Sequence, residues 1–190
     1  ADYFMREPKN ALFAILGIAS ISFHIGLIFS GLVPSLVARP FHMILALPWV
    51  FLFNAKTSLD YITGWVFTLL GIISCSYILV NQTELSDQYG ALQGSNQLTV
   101  AIVLIVVILE MARRAISWPL PIITIFALLY GLFGQYLPGE FGYSGIPIES
   151  FLGTMTISEG GIWGRLTGIS VGIVAIFVIL GAVLNAGEAG

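Results

Sequence analysis

The sequence alternates between long apolar runs and short breaks that contain Pro, Gly or charged residues. Each run is dominated by Ile, Leu, Val, Phe, Ala and Gly. Six runs stand out: Ala11–Val33, Ser35–Phe53, Tyr61–Val80, Gln97–Met111, Trp118–Leu137 and Ile162–Leu184. A helix of about 20 apolar residues is long enough to cross a bilayer. The pattern therefore predicts an all-α integral membrane protein with about six transmembrane helices.

Two breaks are long enough to need separate interpretation. Asn81–Asn96 is polar and is predicted as a loop, whereas Pro138–Gly161 is half apolar, acidic and rich in Gly. Irregular backbone at membrane depth is tolerated only where it is buried in protein or lines a water-filled cavity. We therefore expect Pro138–Gly161 to be an interfacial or re-entrant segment that packs against the rest of the chain.

The composition supports a lipid environment and excludes several functional classes. The chain is 57% hydrophobic and 9% charged, with a mean hydropathy of +0.96, whereas soluble domains have about 25% charged residues. The net charge of −3 is scattered, so there is no basic patch for nucleic acid. Cys75 is the single cysteine, which excludes a disulfide framework or a cysteine zinc site within one chain.

The basic residues predict the orientation of the helices. Basic side chains concentrate on the cytoplasmic side of membrane proteins. With a cytoplasmic N-terminus, five basic residues lie inside and two outside: Arg6, Lys9, Lys56, Arg113 and Arg114 against Arg39 and Arg165. The sequence thus predicts a multi-pass membrane protein with a cytoplasmic N-terminus and with five acidic residues in its outer loops: Glu84, Asp87, Glu140, Glu149 and Glu159.

Two histidines lie near the outer ends of the first two predicted helices. If these helices are antiparallel neighbours, His24 and His42 have similar depth. Two such imidazoles can bind a haem iron from opposite faces, or each can form a hydrogen bond with a neighbouring helix or a lipid headgroup. The segment Arg39-Pro40-Phe41-His42 has similar alternatives, because Arg39 can extend to lipid phosphates or contact a partner protein.

The end of the fourth run combines one acidic and two basic residues. Glu110 precedes Arg113 and Arg114 by three and four residues, which is the spacing of ion pairs within a helix. We predict that the ion pairs stabilise Glu110 at the membrane edge and that the two arginines anchor the cytoplasmic end. No set of nucleophile and base, phosphate-binding loop, paired catalytic carboxylates or metal ligands is evident, and the chain is not expected to be an enzyme.

Glycines recur every fourth residue at the start of the last run, at Gly160, Gly164, Gly168 and Gly172. In a helix, they form one face on which another helix packs closely. The same glycines also permit an unwound entry to the last helix, and the sequence does not distinguish these alternatives. Arg165 lies among them and needs a carboxylate or carbonyl partner, for which Glu159 is a candidate.

Several motifs resemble the fused permease of tripartite ATP-independent periplasmic (TRAP) transporters, of the type that works with TAXI-class binding proteins. The likeness is strong over residues 110–184 and looser before them. It is carried by Glu110-Met-Ala-Arg113-Arg114, Leu120-Pro121-Ile-Ile, Leu129-Tyr130-Gly131-Leu-Phe-Gly134, Tyr136-Leu137-Pro138-Gly139, Ser158-Glu159-Gly160-Gly161-Ile162-Trp163-Gly164, Gly168-Ile-Ser170-Val and Phe177-Val-Ile-Leu-Gly181-Ala, and more weakly by Arg39-Pro-Phe-His42. Near Leu184 the chain departs from the family, with Asn185-Ala-Gly-Glu-Ala-Gly190 in place of an acidic residue and Ser-Gly-Ala-Gly.

The resemblance implies a division into two domains and a longer protein. Residues 1–115 would be the small Q-type domain, a four-helix scaffold, and residues 116–190 the first helices of the large M-type transport domain. The remainder of that domain is an expected partner. Because Ala1 is not a start methionine, we expect the chain to begin inside the longer protein.

The resemblance also implies a location in a bacterial or archaeal cytoplasmic (inner) membrane, and a function. A periplasmic solute-binding protein delivers an organic acid, and the large domain carries this carboxylate by symport with Na⁺ or H⁺, with no resident cofactor. The small domain is the stationary scaffold and docking surface. The candidate docking residues are Arg39, His42, Glu140, Glu149 and Arg165. Alternatives are a haem-binding membrane anchor of a redox complex and a structural membrane protein.

Overall fold

The protein is helical throughout the part that the structure describes. The computed structural model describes residues 8–31, 33–53 and 55–187, and no β-strand occurs within these ranges. The α-helices are α1 (Pro8–Ser30), α2 (Ser35–Pro48), α3 (Ser58–Val80), α4 (Gln82–Asp87), α5 (Gly94–Ala115), α6 (Pro119–Phe133), α7 (Ile148–Thr156), α8 (Arg165–Ile169) and α9 (Ala175–Ala186). A π-helical turn continues α2 over Trp49–Phe53, and a second π turn, Ser170–Val174, joins α8 to α9.

Five helical segments are long and apolar enough to span a membrane, which is compatible with a multi-pass membrane protein. They are Ala11–Ser30, Ser35–Phe53, Ser58–Val80, Pro119–Tyr136 and Arg165–Ala186. The prediction of about six such helices is therefore confirmed for five. The predicted fourth span forms α5, a helix of 22 residues that is not among the five. It has polar residues in its first turn and Glu110, Arg113 and Arg114 in its last turns.

The core lies where α2, α3 and α5 meet. Leu47 on α2 and Val107 on α5 are fully buried, and both pack against Gly71 of α3. A Cβ atom at Gly71 would lie 2.6 Å from Leu47 and 3.2 Å from Val107. The missing side chain therefore permits the close approach of three helices, as small residues do in membrane bundles.

The connections collect at two ends of the bundle. We call the end formed by residues 33–34, 81–93 and 134–164 the Trp163 end, and the opposite end, with residues 55–57 and 115–118, the Arg114 end. Contacts across the bundle join the segments of each end: Gly90 meets Thr154 at the first, and Arg114 binds the backbone of Asp60 at the second. The predicted outer side corresponds to the Trp163 end.

The second half of the segment predicted to be interfacial or re-entrant packs against protein, whereas most of residues 138–149 are exposed. It contains α7, whose Leu152, Gly153 and Thr156 are buried, and α7 contacts α5. The backbone N–H of Leu92 donates to the carbonyl of Glu149 at 3.4 Å. The predicted polar loop 81–96 is partly helical, because it includes the short α4.

The entry to the last helix is unwound, so the predicted glycine packing face is wrong. Gly160 and Gly164 lie in turns before α8 begins at Arg165, and only Gly168 and Gly172 lie within helical structure. Of these two, Gly168 faces the guanidinium of Arg39, whereas no neighbouring atom lies within 4 Å of a Cβ placed at Gly172. The four glycines therefore do not form one helix face.

The predicted domain division at residue 115 stays a prediction, and packing contacts cross it. Helix α7 packs against α5, α8 against α2, and α9 against α1. The described helices on either side of residue 115 thus share buried surface.

The closest approach of α7 to the rest of the bundle predicts a stability effect. A Cβ atom at Gly153 would lie 2.1 Å from the carbonyl oxygen of Gly90. We expect Gly153→Ala to shift α7 and lower the free energy of unfolding by about 1–3 kcal/mol, the usual cost of overpacking. Thermal unfolding in lipid nanodiscs measures the effect. Gly181→Ala is the matched control, because a Cβ atom there meets nothing within 4 Å; equal melting temperatures for the two variants would contradict the prediction.

Candidate functional site

The two histidines form a polar centre between α1 and α2. The Nε2 atom of His24 lies 2.8 Å from the Nδ1 atom of His42, and the Nδ1 atom of His24 lies 2.6 Å from the carbonyl oxygen of Ser20. His24 is only 4% exposed. The prediction that the two imidazoles have similar depth is confirmed. Each lies about 10 Å from the Trp163 end, at a rise of about 1.5 Å per residue.

The last helix closes this polar centre through a hydroxyl group. The Oγ atom of Ser170 lies 3.4 Å from the Nε2 atom of His42. Ser170 begins the π turn that joins α8 to α9, and π turns often occur at functional sites. A continuous polar chain thus crosses the junction of α2, α1 and the last helix.

Cavities lie on both sides of the contact between His42 and Ser170. One has a volume of about 360 Å³ and lies between α1 and the last helix, with Trp49 and Val178 in its wall. The other has about 320 Å³ and is bounded by Met43, Met111 and Leu166 among others. His42 and Ser170 border both cavities. The histidine pair is therefore accessible to small molecules although His24 is buried.

The geometry does not favour the haem interpretation. Two axial histidines hold an iron between their nitrogens, but the facing nitrogens of His24 and His42 lie 2.8 Å apart. Since a metal–nitrogen bond is about 2 Å long, no metal fits between them in this arrangement. Among the described residues, no group of three His, Cys, Asp or Glu side chains is placed to hold a metal ion.

Arg39 contacts the chain itself. Its Nη1 group donates a hydrogen bond to the carbonyl of Trp163, and its guanidinium lies beside Gly168. Trp163 is fully buried and donates from its indole Nε1 to the carbonyl of Thr156 at 2.7 Å. Arg39 therefore joins α2 to the unwound entry of the last helix, and the prediction that Arg39 and His42 contact a docking partner stays a prediction.

At the Arg114 end, the predicted ion pairs of Glu110 are confirmed. The Nε atom of Arg113 lies 2.6 Å from one carboxylate oxygen of Glu110, and the Nε atom of Arg114 lies 2.7 Å from the other. Arg114 also donates to the Oγ1 atom of Thr63 at 2.8 Å and to the carbonyl of Asp60 at 3.2 Å. One guanidinium thus ties α5 to the start of α3.

Arg114 also reaches the π turn that follows α2. It donates to the carbonyl of Phe51 at 3.4 Å, and its guanidinium lies 5.2 Å from the centre of the Phe51 ring. This distance is within the range of a cation–π contact. The anchoring role that we predicted for the arginines remains a prediction. The structure adds that Arg114 binds two backbone carbonyls, those of Phe51 and Asp60.

The other three predicted docking residues face outward. Glu140, Glu149 and Arg165 are exposed at the Trp163 end. The candidate ion pair between Arg165 and Glu159 is not formed, because Glu110 with its two arginines makes the only ion pairs within the described ranges. Their role in docking stays a prediction.

The sequence analysis did not identify two residues that take part in the polar contacts, Ser170 and Trp163. Ser170 is a lone hydroxyl in an apolar run, and many such residues form only local hydrogen bonds. Trp163 interacts through its carbonyl and its indole with residues far away in sequence. The Gly-rich sequence before the last helix was the signal that could have indicated these contacts, because carbonyls exposed in an unwound segment require hydrogen-bond donors.

The contact of Arg39 with Trp163 predicts that substitution of Arg39 lowers the free energy of unfolding more than substitution of Arg165. We expect Arg39→Gln to lower the free energy of unfolding by about 1.5–3 kcal/mol, the range for hydrogen bonds to charged groups. Arg165→Gln is the control, because Arg165 is exposed and such substitutions change stability by about 0.5 kcal/mol or less. Urea or thermal unfolding measures both variants, and an equal effect of the two substitutions would refute the assignment.

The ion pairs of Glu110 predict that substitution of Glu110 lowers the free energy of unfolding more than substitution of Glu140. Glu110→Gln leaves Arg113 and Arg114 adjacent without a counter-charge, and we expect a loss of about 1–3 kcal/mol. The expected loss is smaller than that for breaking a fully buried ion pair, because the side chains of Glu110 and Arg114 are still 16% and 12% exposed. Glu140→Gln removes an exposed carboxylate and serves as control. Unchanged stability of Glu110→Gln would mean that hydration alone compensates the arginines.

Comparison of the chain with known proteins provides no identity. No protein-family model, curated protein or solved structure matches it. The resemblance to the TRAP permease is therefore carried by its motif residues alone.

Proposed function

We propose that this chain is the membrane-embedded scaffold of a secondary-active, binding-protein-dependent transporter of the TRAP type. Such a transporter imports organic acids with a sodium or proton gradient across the cytoplasmic membrane. The scaffold stays in place while its outer face receives the solute-binding protein. The observation that supports this role best is the exposed charge at the Trp163 end.

That charge is acidic and unpaired with basic side chains of the described chain. The exposed acidic residues at this end are Glu84, Asp87, Glu140, Glu149 and Glu159, and Arg165 is the exposed basic residue among them. At the Arg114 end, by contrast, Arg113 and Arg114 are bound to Glu110. An acidic rim attracts a partner with a basic surface and speeds its association. We therefore expect the solute-binding protein to present basic residues to this rim.

The interior of the bundle suits a support better than an ion pathway. Helices α2, α3 and α5 share a closely packed core, and Arg114 ties α5 to α3 and to the turn after α2. Ion pathways normally require ionisable groups within the membrane. In the five segments that are long enough to span, the ionisable groups away from the helix ends are His24, His42 and Cys75.

The motif likeness supports the transporter class, and the predicted orientation supports the direction of docking. With the N-terminus in the cytoplasm, the acidic rim faces the periplasm, where solute-binding proteins are located. No observation favours the haem-binding anchor. A structural membrane protein without a solute role is the remaining alternative, and it predicts no binding at the rim.

Docking is tested with the full chain in nanodiscs and a TAXI-class solute-binding protein from the same organism. We expect Glu140→Lys combined with Glu149→Lys to weaken binding about three- to tenfold at low salt, because surface ion pairs contribute up to about 1 kcal/mol each. The effect should shrink at high salt, where surface charges are screened. Lys56→Glu reverses an exposed charge at the other end and should leave the Kd unchanged.

Two results would overturn the proposal. Absence of binding by the unsubstituted chain at low salt would favour the structural alternative. Uptake of labelled organic acid by liposomes that contain this chain alone would also contradict a scaffold role, since a scaffold requires the transport domain.

A further inference from the structure

We propose that His24 and His42 form a proton-binding site that takes up one proton at the Nε2 atom of His42. The site lies where α1, α2 and the π turn Ser170–Val174 meet. This inference is independent of the docking role, because it depends on the histidine pair and not on the acidic rim.

The hydrogen bonds determine where the protons lie when both rings are neutral. A carbonyl oxygen only accepts, so the Nδ1 atom of His24 carries a proton and donates it to the carbonyl of Ser20. A neutral imidazole has one N–H, and the Nε2 atom of His24 is therefore a bare acceptor. His42 must then donate from its Nδ1 to the Nε2 of His24. The hydrogen bond to the carbonyl of Ser20 therefore determines the tautomers of both histidines.

The remaining lone pair is that of the Nε2 atom of His42. Its only neighbour in the polar chain is the hydroxyl of Ser170 at 3.4 Å, which is at the long limit of a hydrogen bond. His42 and Ser170 border both cavities. Water that enters either cavity can deliver a proton to this Nε2 atom, which then forms an N–H bond.

The arrangement does not conduct a proton along its hydrogen bonds. The chain of hydrogen bonds ends at the carbonyl of Ser20, which cannot pass a proton on. A proton bound at His42 must therefore leave from the same Nε2 atom. A second proton would have to bind the Nε2 atom of His24, where it would point at the N–H of His42 across 2.8 Å. The pair therefore takes up one proton before its rings separate.

Protonation acts on the last helix through Ser170. Once His42 carries a proton at Nε2, the hydroxyl of Ser170 can no longer donate to it and must turn to accept. Among the residues that the structure describes, no other titratable side chain lines either cavity: the side chains contributed by α1, α2, α5, α8 and α9 are otherwise uncharged or apolar. Arg39, one turn before His42 on α2, is bound to the carbonyl of Trp163. Water must therefore solvate the new charge, and about 360 Å³ holds several molecules at about 30 Å³ each.

Nitrogen-15 NMR of the ring nitrogens tests the site directly. The chain has two histidines, so labelling histidine alone leaves four ring nitrogens, two in each imidazole. The full chain in lipid bilayers is titrated from about pH 8 to about pH 3, so that the titration extends below the range in which an unperturbed histidine changes charge. We expect two protonated nitrogens at the start and a third, Nε2 of His42, on acidification, while Nε2 of His24 stays bare.

Two variants separate the proposed arrangement from chance proximity. His24→Gln keeps an acceptor for the N–H of His42, so His42 should retain one tautomer and still take up its proton. His24→Leu removes the acceptor, and His42 should then show a mixture of tautomers at high pH. Ser170→Ala should leave the tautomers and the proton uptake intact.

The spectrum of the unsubstituted chain tests the proposed proton-binding site even if a variant fails to fold. A proton on Nε2 of His42 at high pH would overturn the proposal, as would uptake of two protons in a single step. Unchanged nitrogen signals over the whole titration would overturn it too. None of these results depends on the solute-binding protein, so failure of the proton site and failure of docking are distinguishable.

Discussion

The cost of leaving an ionisable side chain unpaired among apolar helices is the constraint on which this bundle depends. Burying a lone charge or a polar group without a hydrogen bond is expensive. Three ionisable side chains away from the exposed rim have partners that join two elements. Arg39 binds the entry of the last helix, Arg114 binds α3 and the turn after α2, and His24 binds His42. Apolar packing is nearly non-directional, so these few contacts define how the helices are aligned.

Both π turns coincide with such a contact. The carbonyl of Phe51, in the turn after α2, accepts from Arg114. Ser170, which opens the second π turn, faces His42. A π turn changes the hydrogen-bond pattern of a helix locally and redirects side chains. In the first case Pro48 immediately precedes the turn, and its missing N–H interrupts the regular helix.

The two ends and the middle of the bundle thus have different chemistry. The Trp163 end exposes acidic residues without basic partners, whereas both arginines of the Arg114 end are paired with Glu110. Between them, the histidine pair is the polar centre with access to two cavities. A scaffold that docks a partner at one end and binds a proton inside is consistent with this division. The two roles are physically separable, because no charged side chain lines the cavities beside the pair.

The sequence by itself determined the helical class, the second helix with its extension to Phe53, the ion pairs of Glu110 and the shared depth of the histidines. These properties depend on local periodicity, on spacing within one helix, or on the alternation of antiparallel neighbours. Only the tertiary structure decided that Arg39 binds Trp163, that the glycines open the last helix, and that Ser170 meets His42. Those contacts join residues more than a hundred positions apart, and apolar helices of similar composition can pack in many ways. Their relative placement is set by the few polar partners and close approaches that the helices find when they come together.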